Sequence, residues 1–241
     1  MNRSPGQEAE ILLEDVRLFH GSATRGITEL ERAEEDTVGS GVYLATEVVA
    51  REYAYHRASH SGSPVLYEVR VERARLVDLT DQPTVEIVMG EFRTVLHDLL
   101  QREKGEDGPW YWMRMQQMIE EIDSGRGVRV GYLRAVTHRS GTEFSNYLQG
   151  KGFDGLLAVE GGEGSMSAHH SCVVFDPSKV QIISELPLDD HSAGPGPAEW
   201  LAPVADAVLR RRPARQNVPE DNSSPTITGM AQLASGEGLD L

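Results

Sequence analysis

The sequence has 241 residues, of which 39% are hydrophobic and 25% charged, and its formal net charge is −15. So acidic a surface repels phosphate backbones, which excludes nonspecific nucleic-acid binding as the main function, and no apolar run approaches the roughly 20 residues of a membrane span. Cys172 is the single cysteine, which excludes an internal disulfide and is typical of a reducing compartment. We therefore expect a soluble, intracellular, mostly single-domain protein without a secretory leader.

The first third of the chain predicts short strands and helices in turn. Thr46 fits an N-cap with Glu47 in the first helical turn, and residues 65–71 alternate apolar and polar side chains as a strand does. The predicted elements are a strand at 17–22, a helix at 26–35, a strand at 42–45, a helix from Thr46 to about Ala58, and strands at 65–71 and 74–79.

The middle of the chain is helical, and strands return after it. Val88, Phe92 and Leu99 belong to an apolar series at helical spacing, and a second such series runs from Trp110 to Ile122. The remaining predicted elements are a helix at 142–150 and strands at 155–159, 172–175 and 180–184. Because the strands cluster at both ends around a helical middle, we expect an α+β fold rather than alternating βαβ units.

Composition divides the chain into three parts. We expect residues 1–15 to form a lead and residues 16–187 to form one domain with a helical insertion at 84–123. A Gly/Pro linker and a short helix then precede a stretch rich in Pro, Ser, Gly and acidic residues, which has too little apolar surface to fold alone. We expect residues 188–241 to be disordered or bound to a partner.

Three patterns suggest chemistry that their context does not support. Residues 150–155 match G-x-G-x-x-G, but a helix precedes them and a strand follows, which is the reverse of a dinucleotide-binding turn. His56 and His60 are spaced for one helix face, yet no third metal ligand is evident. Cys172 and His170 are two residues apart and would share a face if both lay in one strand, whereas a catalytic Cys–His pair normally comes from separate elements, so a small buried residue is the better interpretation of Cys172.

Several motifs in order carry a family resemblance. Leu18-Phe19-His20-Gly21-Ser22 resembles the first motif of the ADP-ribosyltransferases of the poly(ADP-ribose) polymerase and diphtheria-toxin type, and residues 39–45 (GSGVYLA) resemble their second. A helix with small residues and a tyrosine, Ala50-Arg51-Glu52-Tyr53-Ala54, follows as in that family. Residues 152–158 and 173–180 are similar to the closing strands of phage and bacterial members. Order and spacing agree over roughly residues 16–185.

The resemblance implies a fold of two packed, mainly antiparallel β-sheets with a helical insertion, and NAD as co-substrate with no metal or further cofactor. It implies that His20 contacts the adenosine-side ribose and that the Gly21 backbone pairs with the nicotinamide carboxamide. A glycine suits a position that a ligand approaches closely. Tyr43 and Tyr53 would sandwich the nicotinamide, and Ser22 belongs to the same NAD-binding set.

The third motif departs from the family. Ser171 stands where chain-elongating members carry a glutamate, and Ala50 stands where polymerases carry a carboxamide-binding serine. Loss of one stabilising contact of this kind typically costs 10²–10³ in rate, so synthesis of poly(ADP-ribose) is not expected. Three substitutes are open: Glu163 in a glycine-rich loop, His170, or a base supplied by the target itself.

The predicted function is therefore transfer of one ADP-ribose from NAD to a macromolecular target, most naturally a protein, with release of nicotinamide. The catalytic set is His20, Tyr43, Glu163 and Ser171, and the helical segment 84–122 is the predicted target-recognition region. The alternative is a catalytically inactive interaction or assembly module, such as a phage virion component, with its tail docked on a partner. The expected location is a bacterial host cytoplasm, or a virion for the alternative.

Overall fold

The computed structural model describes residues 8–33, 38–59, 62–102, 109–124, 141–160 and 168–189. The described residues form six strands, four α-helices and one short 3-10 turn. In chain order they are β1 (Glu10–Ser22), β2 (Val42–Leu44), α1 (Glu47–Ala58), β3 (Val65–Asp78), α2 (Gln82–Arg102), α3 (Pro109–Asp123), α4 (141–150), β4 (Gly155–Glu160), β5 (His169–Val174), the 3-10 turn (Pro177–Lys179) and β6 (Val180–Pro187).

The described strands form one mixed sheet in the order β1-β3-β4-β5-β2, with β6 also paired to β3. Each pairing is antiparallel except the parallel pairing of β3 with β4. The α+β class predicted from the sequence is thus confirmed, but the strands do not form the two separate sheets that were expected. The reason is the length of β3, which pairs with β6 along residues 65–71 and with β4 along residues 76–78.

The sheet curls until its two outer members meet. Phe19 on β1 and Ala45, just after β2, exchange both backbone hydrogen bonds at 2.9 Å. Side chains from all six strands consequently meet in a single apolar cluster, here called the inner core. Its buried members include Leu13, Leu18, Val42, Leu44, Tyr67, Val69, Leu157, Cys172, Val174 and Val180.

The helices cover the opposite, outer face of the strands. Helices α2, α3 and α4 pack there against alternate residues of β4 and β5, forming a second cluster called the outer core. It includes Val88, Phe92, Met118, Phe144, Leu156, Ala158 and Val173. The predicted helical insertion therefore supplies much of the protein's core. Helix α1 covers a separate patch through Val49, Ala50 and Ala54, and no helix in the described part of the chain is long and apolar enough to cross a membrane.

Two predicted elements differ from the structure. The described residues 26–33 of the predicted helix at 26–35 are irregular, because Ile27 and Leu30 pack on the inner core while the Tyr67 hydroxyl accepts a hydrogen bond from Ile27 N–H at 3.1 Å. The strands predicted at 65–71 and 74–79 form one strand in the structure. Its pairing with β1 continues between them, where Arg73 pairs with Glu14. The predicted tail falls, from residue 190 onward, outside the described residues.

Candidate functional site

The first two sequence motifs meet where β1 and β2 separate. The Phe19–Ala45 bridge is isolated, and the next pair in the same register would be Gly21 and Tyr43. His20 lies in that gap: its Nδ1–H donates to the backbone oxygen of Tyr43 at 3.0 Å. A carbonyl oxygen only accepts, so this contact places the ring proton of His20 on Nδ1.

Gly21 is required by the packing of α1. A Cβ at this position would lie 1.9 Å from the backbone oxygen of Ala50 and 2.8 Å from the nitrogen of Ala54. From the sequence, we expected a glycine to be needed here because a ligand approaches closely. In the structure, the space that a side chain would occupy is filled by the backbone of α1. The Gly21 N–H and C=O point the same way as those of Phe19, toward β2, because alternate residues of a strand share that direction.

Two hydrogen bonds fix the hydroxyl of Tyr43, the predicted site residue on β2. Its hydroxyl donates to the backbone oxygen of Gly39 at 2.7 Å and accepts from Val38 N–H at 3.0 Å. The ring is half-buried against the outer core. Tyr43 pairs with Val173 of β5, so both side chains lie on the outer face of the strands.

Tyr53 extends from α1 to the ends of β4 and β5. Its hydroxyl lies 3.2 Å from Nε2 of His169 and 3.5 Å from Oε2 of Glu160. The Tyr53 and His169 rings meet edge to face, with centroids 5.3 Å apart. The second predicted aromatic residue is therefore anchored through its hydroxyl to two polar side chains of the sheet.

The outer face of β5 changes from apolar to polar toward its first residue. Val173, Ser171 and His169 follow one another on that face by the strand period. Ser171 pairs with Ala158 and His169 with Glu160 across β4. These polar residues are nonetheless buried, with exposures of 2% for Ser171, 0% for His169 and 3% for Glu160.

The inner face of β5 holds the two residues considered for thiol chemistry. Cys172 is 1% exposed, which confirms it as a buried core residue, and burial raises the pKa of its thiol to about 12. His170 lies on that same inner face, opposite to Ser171, and burial lowers its pKa although the charge of Asp78 opposes the shift. His170 is therefore poorly placed to replace a carboxylate at Ser171.

The other predicted site residues have mixed outcomes. Ala50 is buried and its backbone oxygen faces Gly21, so the helix is close but its side chain offers no polar contact. The Ser22 hydroxyl accepts a hydrogen bond from Thr24 N–H at 3.0 Å, which shapes the turn after β1. Glu163 and His60 lie outside the described residues. Among the described residues, no three His, Cys, Asp or Glu side chains gather to hold a metal ion.

Glu160 and His169 were not among the predicted site residues. The predicted strands ended at residue 159 and began again at residue 172, which left both residues outside them. The alternation along Gly155–Glu160 offered a signal, because it places Glu160 on the same face as Ala158. Their mutual pairing, however, requires the register of two strands that are distant in sequence.

No protein-family model and no curated protein matches the sequence. Among solved structures, the chain is similar to the crystal structure of the M. tuberculosis MbcT-MbcA toxin-antitoxin complex. The match has 13% sequence identity and a TM-score of 0.40, and it covers 75% of this chain and 87% of that chain. At this level of similarity the match assigns neither fold nor function.

Proposed function

We propose that the protein is an NAD-dependent mono-ADP-ribosyltransferase with an ADP-ribosyltransferase-type fold, which modifies a protein target and releases nicotinamide. The observation that carries the proposal is the meeting of three motifs that are separate in sequence. His20 donates to the backbone of Tyr43, and the helix that bears Tyr53 packs directly on Gly21. The first two motifs thus meet at the gap between β1 and β2, and the helix that carries Tyr53 packs against the Gly21 side of that gap.

The gap between β1 and β2 suits a carboxamide. The N–H and C=O of Gly21 point toward β2 beyond the last bridge, and a primary amide presents the complementary acceptor and donor. Tyr43 and Tyr53 lie on the same, outer side of the sheet, where stacking of an aromatic ring contributes about 0.5–1.5 kcal/mol per pair. His20 contacts the backbone of Tyr43 through Nδ1, and we propose its other ring nitrogen, Nε2, for a ribose hydroxyl.

The reaction breaks the bond between the ribose carbon and the nicotinamide nitrogen, whose electron pair leaves with neutral nicotinamide. A nucleophile of the target forms the new bond to that carbon and gives up its proton to a base. Glu163 is the carboxylate that we propose for this base, because Ser171 is neutral, short and buried. Loss of a positioned group of this kind costs roughly 10²–10³ in rate.

A protein is the proposed acceptor. The net charge of −15 disfavours approach to the phosphates of DNA or RNA. Helices α2 and α3 lie beside Tyr43 on the outer face, and we propose that their outward surfaces, or the chain beyond residue 189, contact the target. These contacts would form in the cytoplasm of the cell that makes or receives the protein.

The proposal is tested by incubating the purified protein with NAD and bacterial lysate. Nicotinamide release and ADP-ribose adducts are measured by mass spectrometry for the natural protein and for His20→Ala, Tyr43→Ala and Glu163→Gln. We expect each change to lower adduct formation by about 10²-fold or more. His56→Ala, an exposed histidine on α1, is the matched control and should leave the rate unchanged.

The assembly-module alternative predicts a different result. It requires that the natural protein neither binds NAD, measured by calorimetry, nor releases nicotinamide above background. If NAD binds but no ADP-ribose adducts form, the NAD-binding site is supported and the transfer reaction is rejected. Loss in Glu163→Gln to the same extent as in His20→Ala would assign the role of the missing carboxylate to Glu163.

A further inference from the structure

A buried polar cluster joins Tyr53 to the ends of β4 and β5. The cluster consists of the Tyr53 hydroxyl, the His169 imidazole and the Glu160 carboxylate, and it is called the Tyr53 cluster below. His169 Nε2 and Glu160 Oε2 are 3.9 Å apart, and the side chains of both are almost completely buried. The Tyr53 hydroxyl lies within 3.5 Å of both groups.

The chemistry of the three groups fixes the direction of their hydrogen bonds. The Tyr53 O–H donates to Oε2 of Glu160. The Tyr53 oxygen then accepts from His169 Nε2–H, which places the His169 proton on Nε2. One hydroxyl therefore links both buried groups, and its single torsion is set by them.

Packing requirements do not account for the cluster. On the same face of the same strands, Leu156, Ala158 and Val173 fill the outer core with apolar side chains. A buried carboxylate costs stability unless its partners are well placed, and apolar residues of similar volume often serve the fold equally well. A polar group at this point is thus better explained by what it does to Tyr53.

We propose that Glu160 and His169 are positioning residues, which hold the Tyr53 ring at the angle needed to stack on the nicotinamide. The inference rests on the proposed function. Neither residue touches the ligand directly, because Glu160 is 3% exposed and His169 is 0% exposed. Both act through the Tyr53 hydroxyl, so an intact ring without its hydroxyl should bind NAD as poorly as a protein without the carboxylate.

The test is a double-mutant cycle on NAD affinity, measured by calorimetry. Tyr53→Phe removes only the hydroxyl, and Glu160→Gln keeps the volume of the side chain. We expect each single change to weaken NAD binding roughly fivefold, the equivalent of about one hydrogen bond. The double variant should be no weaker than Tyr53→Phe, because both changes act on the same hydrogen bond: Tyr53→Phe removes its donor, and Glu160→Gln replaces its carboxylate acceptor with an amide oxygen.

A second tyrosine–carboxylate pair supplies the matched control. The Tyr147 hydroxyl on α4 donates to Glu91 on α2 at 2.9 Å, away from the gap between β1 and β2. Tyr147→Phe and Glu91→Gln should leave NAD affinity unchanged. Equal losses in both pairs would indicate a general effect on stability and would overturn the positioning role.

A readout without NAD separates this inference from the proposed function. In ¹⁵N NMR spectra, the Nε2 signal of His169 should shift in Glu160→Gln and in Tyr53→Phe but not in Tyr147→Phe, and His169→Gln assigns the signal. If the natural protein binds NAD while the cycle is additive or the single variants are silent, the inference alone is wrong. If the natural protein does not bind NAD, the proposed function fails, and the positioning role fails with it even where the shifts are seen.

Discussion

The two ends of β4 each carry a carboxylate, and the two carboxylates have opposite surroundings. Asp154, immediately before the strand, accepts hydrogen bonds from Lys179 Nζ at 2.7 Å and from the backbone N–H of Arg75 at 2.9 Å. Glu160, the last residue of the strand, contacts the Tyr53 hydroxyl and the His169 imidazole. Asp154 is partly exposed, whereas Glu160 is buried.

The difference separates a residue that holds the fold together from one that we propose positions Tyr53. Burial alone raises the pKa of Asp154, but the hydrogen bonds from Lys179 and Arg75 outweigh it and the net shift is downward. Its ionised form therefore stabilises the junction of β3, β4 and the 3-10 turn. Glu160 instead lies buried at the end of the strand, beside the Tyr53 hydroxyl and the His169 imidazole.

The largest expected effect is on stability at the Asp154 end. Asp154→Asn removes the charge that Lys179 contacts, and loss of hydrogen bonds to a charged group costs about 1–3 kcal/mol. We expect the free energy of unfolding in urea to fall by that amount, with NAD affinity unchanged. Glu160→Gln, the same chemical change at the other end, should alter it by less than about 1 kcal/mol. A larger loss for Glu160→Gln would reverse the comparison.

The same contrast should appear in acid. The pKa of Asp154 is lowered from its ordinary value of 3.8, so its contribution to stability is complete above that value. It is lost as the pH falls below 3.8 and through the lower pKa of the folded state. Urea midpoints measured from pH 6 to pH 2.5 should therefore converge for the natural protein and Asp154→Asn at the acid end. A constant difference between them over this range would show that the ion pair is not responsible.

The strand and helix types were predictable because their signals are local: Val42–Leu44 follows a glycine run, and α1 begins one residue after Thr46. The helix at 26–35 was mispredicted because Ile27 and Leu30 have helical spacing yet pack on the inner core from an irregular segment.

The candidate site was predictable only where its residues lie in motifs. His20, Gly21 and Tyr43 were found together because the resemblance supplied their relation, and the structure adds the hydrogen bond from His20 to Tyr43. Glu160 and His169 were missed because their proximity depends on the register of β4 and β5. Glu163 was predicted as a site residue because glycines flank it, and no strand pairing supported its place in the site.

The smallest effect concerns Cys172, which lies midway between the two ends on β5 opposite Leu157. Burial raises the pKa of its thiol to about 12 from an ordinary value of 9.0, so the folded state keeps the neutral thiol. The stability that the folded state gains from keeping the thiol neutral is lost as the pH rises above 9.

At pH 8 a thiol reagent should label Cys172 only when the strands open. Because labelling through global opening follows stability, Asp154→Asn should accelerate it roughly 5- to 160-fold, the rate equivalent of 1–3 kcal/mol. Glu160→Gln should change it less than about fivefold. Rapid labelling of the natural protein, or faster labelling of Glu160→Gln than of Asp154→Asn, would place the weak point of β5 at its polar end instead.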